Sequence, residues 1–246
     1  MENETSEKKT KKPQPVLLIV LVSLLLIGFG LPIYHEIRSN FQERSYRRHQ
    51  LTRRNMKQIG LALHNYHWTN HTLPPGAMIS ESGIPEHSWQ ALILPFLDQE
   101  FLFKQIDLKK PWNDPANQKV FQQKIPVYLS PKVKMKFSKD GYALSHFVGN
   151  QLVLKPGTNI SFEDIRDGTS NTILAMEIAE NFKPWGDPSS LTDPTKVIGP
   201  DMKTPSTGGS FILLGDGAVR YISKDVDPAV LKALSTPDGG EVVGEF

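Results

Sequence analysis

The chain has 246 residues, and its 28 Lys and Arg against 26 Asp and Glu leave a net charge of only +2, so bulk charge implies no nucleic-acid partner. Cysteine is absent, which excludes disulfides, thiolate nucleophiles and zinc–thiolate sites and leaves any metal to His, Asp, Glu or backbone oxygen. About 180 residues lie beyond the amphipathic N-terminal part, enough for one domain with a core and too few for two.

The chain opens with a basic tail carrying Lys8, Lys9, Lys11 and Lys12, followed by an uncharged apolar run from Val16 to Ile33. The run is too long for a signal-peptide core and closes on Leu31, Pro32, Ile33, Tyr34 rather than on a small-x-small site, so an uncleaved membrane anchor is expected. Four lysines lie close before the span, whereas the flank after it, His35, Glu36, Ile37, Arg38, is nearly neutral. On a continuous helix Arg44 falls about 16 Å and Arg54 about 31 Å past Ile33, beyond a screening length of about 8 to 10 Å. The expected orientation has the N-terminus in the cytoplasm and the globular part outside.

Met56, Ile59, Leu63 and Tyr66 then recur at helical spacing, while Arg53, Arg54, Lys57 and Gln58 lie mostly around them, which predicts a helix with one face for a domain to pack on. Gly60 marks a place for close approach, and Leu73, Pro74, Pro75, Gly76 is the stop. Ser88 to Leu94 and Leu97 to Ile106, broken by Pro95, predict two short helices or a kinked one. The segment around Pro111, Trp112, Asn113, Asp114, Pro115 reads as irregular, and Ile125 to Leu129 reads as a strand. Ser161 to Asp164 has the form of a capping box, and Asp167, Gly168 turns into the β-prone Thr172 to Met176. Phe211 to Leu214, then Gly215, Asp216, Gly217, then Ala218 to Ile222 predicts a β-hairpin. Asp227 and Pro228 open a capped helix over Ala229 to Leu234. The sum is an α+β domain with a small antiparallel sheet on the long helix.

Three chemistries compete for the remaining residues. His64, His67 and His71 share a helical face at spacings of three and four, a constellation for zinc or nickel, though no Glu makes an HExxH and boundary histidines have the same spacing. Calcium is the second, through Asp164, Asp167, Thr169 and Asn171 or through Asp107, Asn113, Asp114 and Asn117, although such clusters also make turns and neither is an EF-hand loop. The third is ligand stacking by Trp68, Trp89, Trp112 and Trp185, all near Pro- or Gly-rich segments, where the competing role is to seal the core. No Gly-x-Ser-x-Gly elbow and no phosphate cradle is present, and no enzymatic activity or resident cofactor is expected.

The blocks RRNMKQIGLALHNYH, LPPG, SWQALILPFLDQEFLF, DLKKPWNDPAN, IRDGTSNTILAMEIAE and GGSFILLGDGAVRYIS, in that order from about Arg47 to Gly240, resemble a bacterial domain-of-unknown-function family of prepilin-like proteins. The resemblance implies a type IV pilin-like fold, with a long N-terminal helix half in the membrane and half under an antiparallel sheet, and it implies no established activity. The expected organisation is a cytoplasmic basic tail over 1–15, a transmembrane helix over 16–34, a helical stalk over 35–72 and an extracytoplasmic α+β domain over 73–246. A pseudopilin-like assembly subunit is the first reading, with membrane lipid around Val16 to Ile33, self-association helped by Gly28 and Gly30, and secretion- or pilus-type components as partners. The second is an anchored solute- or glycan-binding or sensing module; the third is a metal-dependent enzyme. Three departures stand out. Pro13, Gln14, Pro15 occupy the place of the family's Gly-Phe-Thr-Leu-x-Glu processing signal, Thr52 and Ser130 stand where the family often has two cysteines, and Ser206 stands where it commonly has a His.

Overall fold

The computed structural model describes residues 31–241, 243 and 244. The basic tail, nearly all of the expected span, Gly28, Gly30 and the segment Pro13 to Pro15 lie outside the described residues. Among the described residues no helix is long and apolar enough to cross a membrane.

The first helix, α1, covers Leu31–Asn70. By its contacts the chain divides after Arg47 into two compact units. In the first, the described residues are all helical, and Ile33, Tyr34, Ile37, Phe41 and Tyr46 are exposed large apolar side chains. An exposed Arg47–Glu43 pair at 3.6 Å, one turn apart, accompanies them.

In the second unit α1 is a packing spine. Met56, Ile59, Ala62 and Leu63 are buried and Tyr66 packs at their margin, as the helical period requires. Gly60 is needed for contact: a Cβ there would stand 2.8 Å from Leu213 Cδ1, so the helix lies against the sheet where it has no side chain. α1 ends at Asn70, and His71 takes a left-handed φ of 61°.

Two short strands, β1 (Ala77–Ile79) and β2 (Pro85–Ser88), pair antiparallel. Ser88 caps α2 (Trp89–Leu92), a 3₁₀ turn Leu94–Leu97 holds Pro95 in its first turn, and α3 (Glu100–Phe103) follows; α4 is Gln118–Phe121. The expected strand over Ile125 to Leu129 is instead a 3₁₀ turn, Pro126–Tyr128. Pro126 has no N–H for a ladder and a preset φ, and the Tyr128 hydroxyl reaches inward to the Gln90 carbonyl at 2.7 Å.

β3 (Leu144–Ser145) pairs with β6 (Lys183–Pro184). The main sheet has β4 (Phe147–Asn150), β5 (Ile173–Glu177), β7 (Leu191–Thr192), β8 (Gly209–Leu214) and β9 (Val219–Ser223) in the order β7-β4-β5-β8-β9. All neighbours are antiparallel except β4 and β7. The β8–β9 hairpin turns at Gly215 to Ala218, with Gly217 at φ 81° and the Asp216 carboxylate accepting the Ala218 N–H at 2.8 Å. The capping box at Ser161 is present and opens one 3₁₀ turn, Phe162–Asp164.

Along β8 the side chains alternate between two cores. Phe211 and Leu213 join Met56, Ile59 and Leu63, whereas Ile212 and Leu214 join Leu231 and Leu234 of α5 (Pro228–Ser235). In β5 a register shift between Ile173 and Ala175 places Leu174 and Ala175 together in the α1-side core, with Ile173 and Met176 in the other. The result is an α+β domain in which a five-stranded sheet lies between the second half of α1 and the short α5.

Candidate functional site

The three histidines do not form a metal site in this fold. His64 and His67 both lie on the Phe162 ring, each with centroids 4.5 Å apart. The Nε2 of His64 is 3.0 Å from the Gly215 carbonyl, which can only accept, so that nitrogen carries the proton. The Nε2 of His67 accepts the Phe162 N–H at 3.4 Å, and His71 is exposed at the helix end. His64 and His67 thus join α1 to the hairpin turn and to the capping-box turn.

The Asx clusters make turns. Buried Asn117 donates to the carbonyls of Asp107, Lys110 and Pro111 and accepts from the Asp107 N–H, fixing that loop, while Asp114 accepts from Ala116. Asn113 contributes its carbonyl, 3.5 Å from the Tyr142 hydroxyl. Asp164 accepts from Ser161, Asp167 accepts from Gly239 and Gly240 at 2.7 and 2.8 Å, and Asn171 donates back to the Asp167 carbonyl. Among the described residues no group of three or more His, Asp or Glu is arranged to hold a metal ion.

The tryptophan reading needs correction at two positions and qualification at a third. Trp89 and Trp185 are fully buried, their indole N–H groups donating to Ser190 and Gln123 carbonyls, because both rings fill the core around Phe121 and Leu154. Half-buried Trp112 packs edge-on to Tyr142 and Phe121. Trp68 alone of the four is open, at 83% exposure on α1.

A buried polar cluster between α1 and the sheet has no counterpart in those expectations. At the end of β5, Glu177 is inaccessible to solvent; its Oε1 accepts from Ser130 Oγ at 2.6 Å and lies 3.5 Å from Thr52 Oγ1. Its Oε2 meets Lys132 Nζ at 3.0 Å, and that ammonium also sits 4.8 Å from the centroid of Phe211. Burial lowers the Lys132 pKa against the opposing pull of Glu177. Thr52 and Ser130, the two positions where the resembled family often has cysteines, therefore touch one carboxylate oxygen from opposite elements. Asn55, one turn further along α1, donates to the Leu129 carbonyl at 2.9 Å beside them.

Two histidines border this cluster. His146 is fully buried, accepting the Ser130 N–H at Nδ1 and facing the Met135 carbonyl with Nε2, each at 2.8 Å, so Nε2 holds its proton. Burial brings its pKa down to about 4. His49 stacks on Tyr221, meets Phe211 edge-on and lies 3.2 Å from Ser206 Oγ, so the serine standing at the family's histidine position contacts a histidine of α1. Burial first and then the nearby Lys132 lower the His49 pKa. Thr52, Ser130 and Glu177 are inaccessible to solvent and the Lys132 side chain is 8% exposed, so the cluster can lock the helix, the 130–132 segment and the sheet together.

Residues 47–151 match the model of a family described as a protein of unknown function (DUF1559). No curated protein and no solved structure matches the chain. The matched stretch begins one residue before the domain unit and ends just past β4.

Proposed function

We propose that this protein is a membrane-anchored, extracytoplasmic pilin- or pseudopilin-like scaffold that acts by association rather than catalysis. The observation that carries this reading is the contrast along α1. Its second half supplies the spine under a small sheet, and its first half presents Ile33, Tyr34, Ile37 and Phe41 outward, in continuity with the uncharged run Val16 to Ile33. An exposed apolar stripe leading out of an apolar run is what a tethered helix offers to lipid or to other helices. Lysines before the run favour an N-terminus in the cytoplasm and a domain outside. A buried polar lock at Glu177, with His64 and His67 engaged in packing on Phe162, supports structure over turnover. The missing processing signal favours a permanent tether over a cleaved subunit.

Co-purification from detergent-solubilised membranes tests the reading, using the full chain beside a version that starts at Arg38. Self-association, or capture of secretion- or pilus-type components, is expected to require the residues before Arg38. The reading fails if the full chain is recovered in the soluble fraction, or if none of its associations depends on that segment.

A further inference from the structure

Beside the edge strand β7 the domain has a hollow of about 320 Å³, away from every residue that the sequence singles out for chemistry. Its floor is aliphatic: Val148 and Ile178 of the α5-side core, with Leu191 of β7 along one wall. Its lining includes three lysines, Lys183, Lys196 and Lys203, against one acidic residue, Glu180. Lys203 pairs with Glu180 at 2.6 Å, and among the described residues neither Lys183 nor Lys196 has an ion-pair partner. Two lysines without an ion-pair partner, lining the same hollow as Val148 and Ile178, favour a bound anion, and the aliphatic side chains favour an apolar body beside it. The volume lies at the small end of ligand-binding cavities, which points to a metabolite-sized molecule rather than a polymer.

We propose that this hollow is a binding site for a small carboxylate with an apolar body, its head at Lys183 and Lys196 and its body over Val148 and Ile178. The site is independent of the scaffold reading: it requires neither the anchor nor an assembly partner. It also places ligand recognition away from the tryptophans, which are mostly engaged in packing.

Equilibrium dialysis of the purified full chain, with labelled 3-phenylpropionate and its neutral analogue 3-phenylpropanamide, is the direct test. One-to-one saturable binding of the acid is expected, with the amide at least tenfold weaker, equivalent to about 1.4 kcal/mol. The K183Q/K196Q double variant should lose at least tenfold in affinity with an unchanged melting midpoint, since both side chains are exposed. K203Q, which frees the Glu180 carboxylate at the rim, should also weaken binding. The proposal is overturned if the acid does not saturate, if acid and amide bind alike, or if the folded double variant binds as the parent does. Co-purification that depends on the residues before Arg38 would be untouched by any of these results.

Discussion

The two faces of the main sheet are held in different ways. Toward α5 the contact is almost wholly aliphatic: Ile173, Met176, Ile212, Leu214 and Ile222 against Leu231 and Leu234, with Asn150 donating to the Ile173 and Ser235 carbonyls. Toward α1 the aliphatic stripe of Met56, Ile59 and Leu63 is joined at one end by the enclosed Thr52–Ser130–Lys132–Glu177 cluster. An apolar face fixes a helix only loosely in rotation and register, because aliphatic contact is non-directional. Buried directional bonds to one carboxylate specify which residue of α1 meets which end of β5.

The largest way to break this contrast is Glu177→Ala. It leaves the Lys132 ammonium, whose side chain is 8% exposed, buried without its partner, and breaking such a pair costs about 3–5 kcal/mol. Urea unfolding of the domain should show that loss. Replacing both partners, in Glu177→Leu with Lys132→Met, should recover most of it, since an apolar pair of similar volume often matches a buried ion pair. A cost below about 1 kcal/mol for the single variant would mean that the α1 face is as non-directional as the other.

Acid should separate the faces next. His146 is neutral in both folded and unfolded chains above pH about 6.5, so no penalty exists there. As pH falls from about 6.5 toward 4 the unfolded chain takes up the proton and the folded one does not, because burial holds its pKa near 4. Stability therefore falls with falling pH through that window, by about 1.4 kcal/mol per unit and on the order of 3 kcal/mol in all. His87, buried with neither ring nitrogen hydrogen-bonded although the Lys110 and Asp107 carbonyls are near, and His49 both act in the same direction. The urea midpoint followed from pH 7.5 to 4.5 should drop less steeply in His146→Gln than in the parent. Parallel curves would remove His146 from the account.

What was legible in the sequence was local. The stripe on α1, its stop before Leu73, the close approach at Gly60, the capping box at Ser161, the Asp-Gly hairpin and the capped α5 each depend on residues a few positions apart. Ile125 to Leu129 misled because β-prone residues outweighed one proline that settles the backbone. For Trp89 and Trp185 the sequence left stacking and core sealing both open, because a Pro- or Gly-rich neighbourhood says that the chain turns, not which way a ring faces; burial gives both to the core. The Glu177 cluster was invisible for a different reason. Thr52 and Glu177 are 125 positions apart, and singly each of the four residues reads as an ordinary surface side chain. The positions where the resembled family has cysteines, Thr52 and Ser130, were the one pointer to their proximity.

The smallest expected effect sharpens the comparison from the other side. α5 has only eight residues, too short to persist without support in water, so its place depends on the sheet and on its cap. Asp227 accepts the Ala229 N–H at 2.8 Å, with Pro228 in the first turn where a missing N–H costs nothing. Asp227→Ala should lower stability by about 1 kcal/mol, and Asp227→Asn, which keeps the acceptor and loses the charge beside the helix dipole, by about 0.5 kcal/mol. Neither should alter the pH dependence set by His146, because that imidazole's contacts are with Ser130, Met135 and Phe182. Denaturant midpoints for both variants at pH 7.5 and 4.5 would show it: an equal shift at the two pH values means that cap and polar lock act independently on opposite faces of the sheet. An Asp227→Ala loss that grows in acid would instead mean that the faces are coupled through β4, which carries Asn150 and begins one residue after His146.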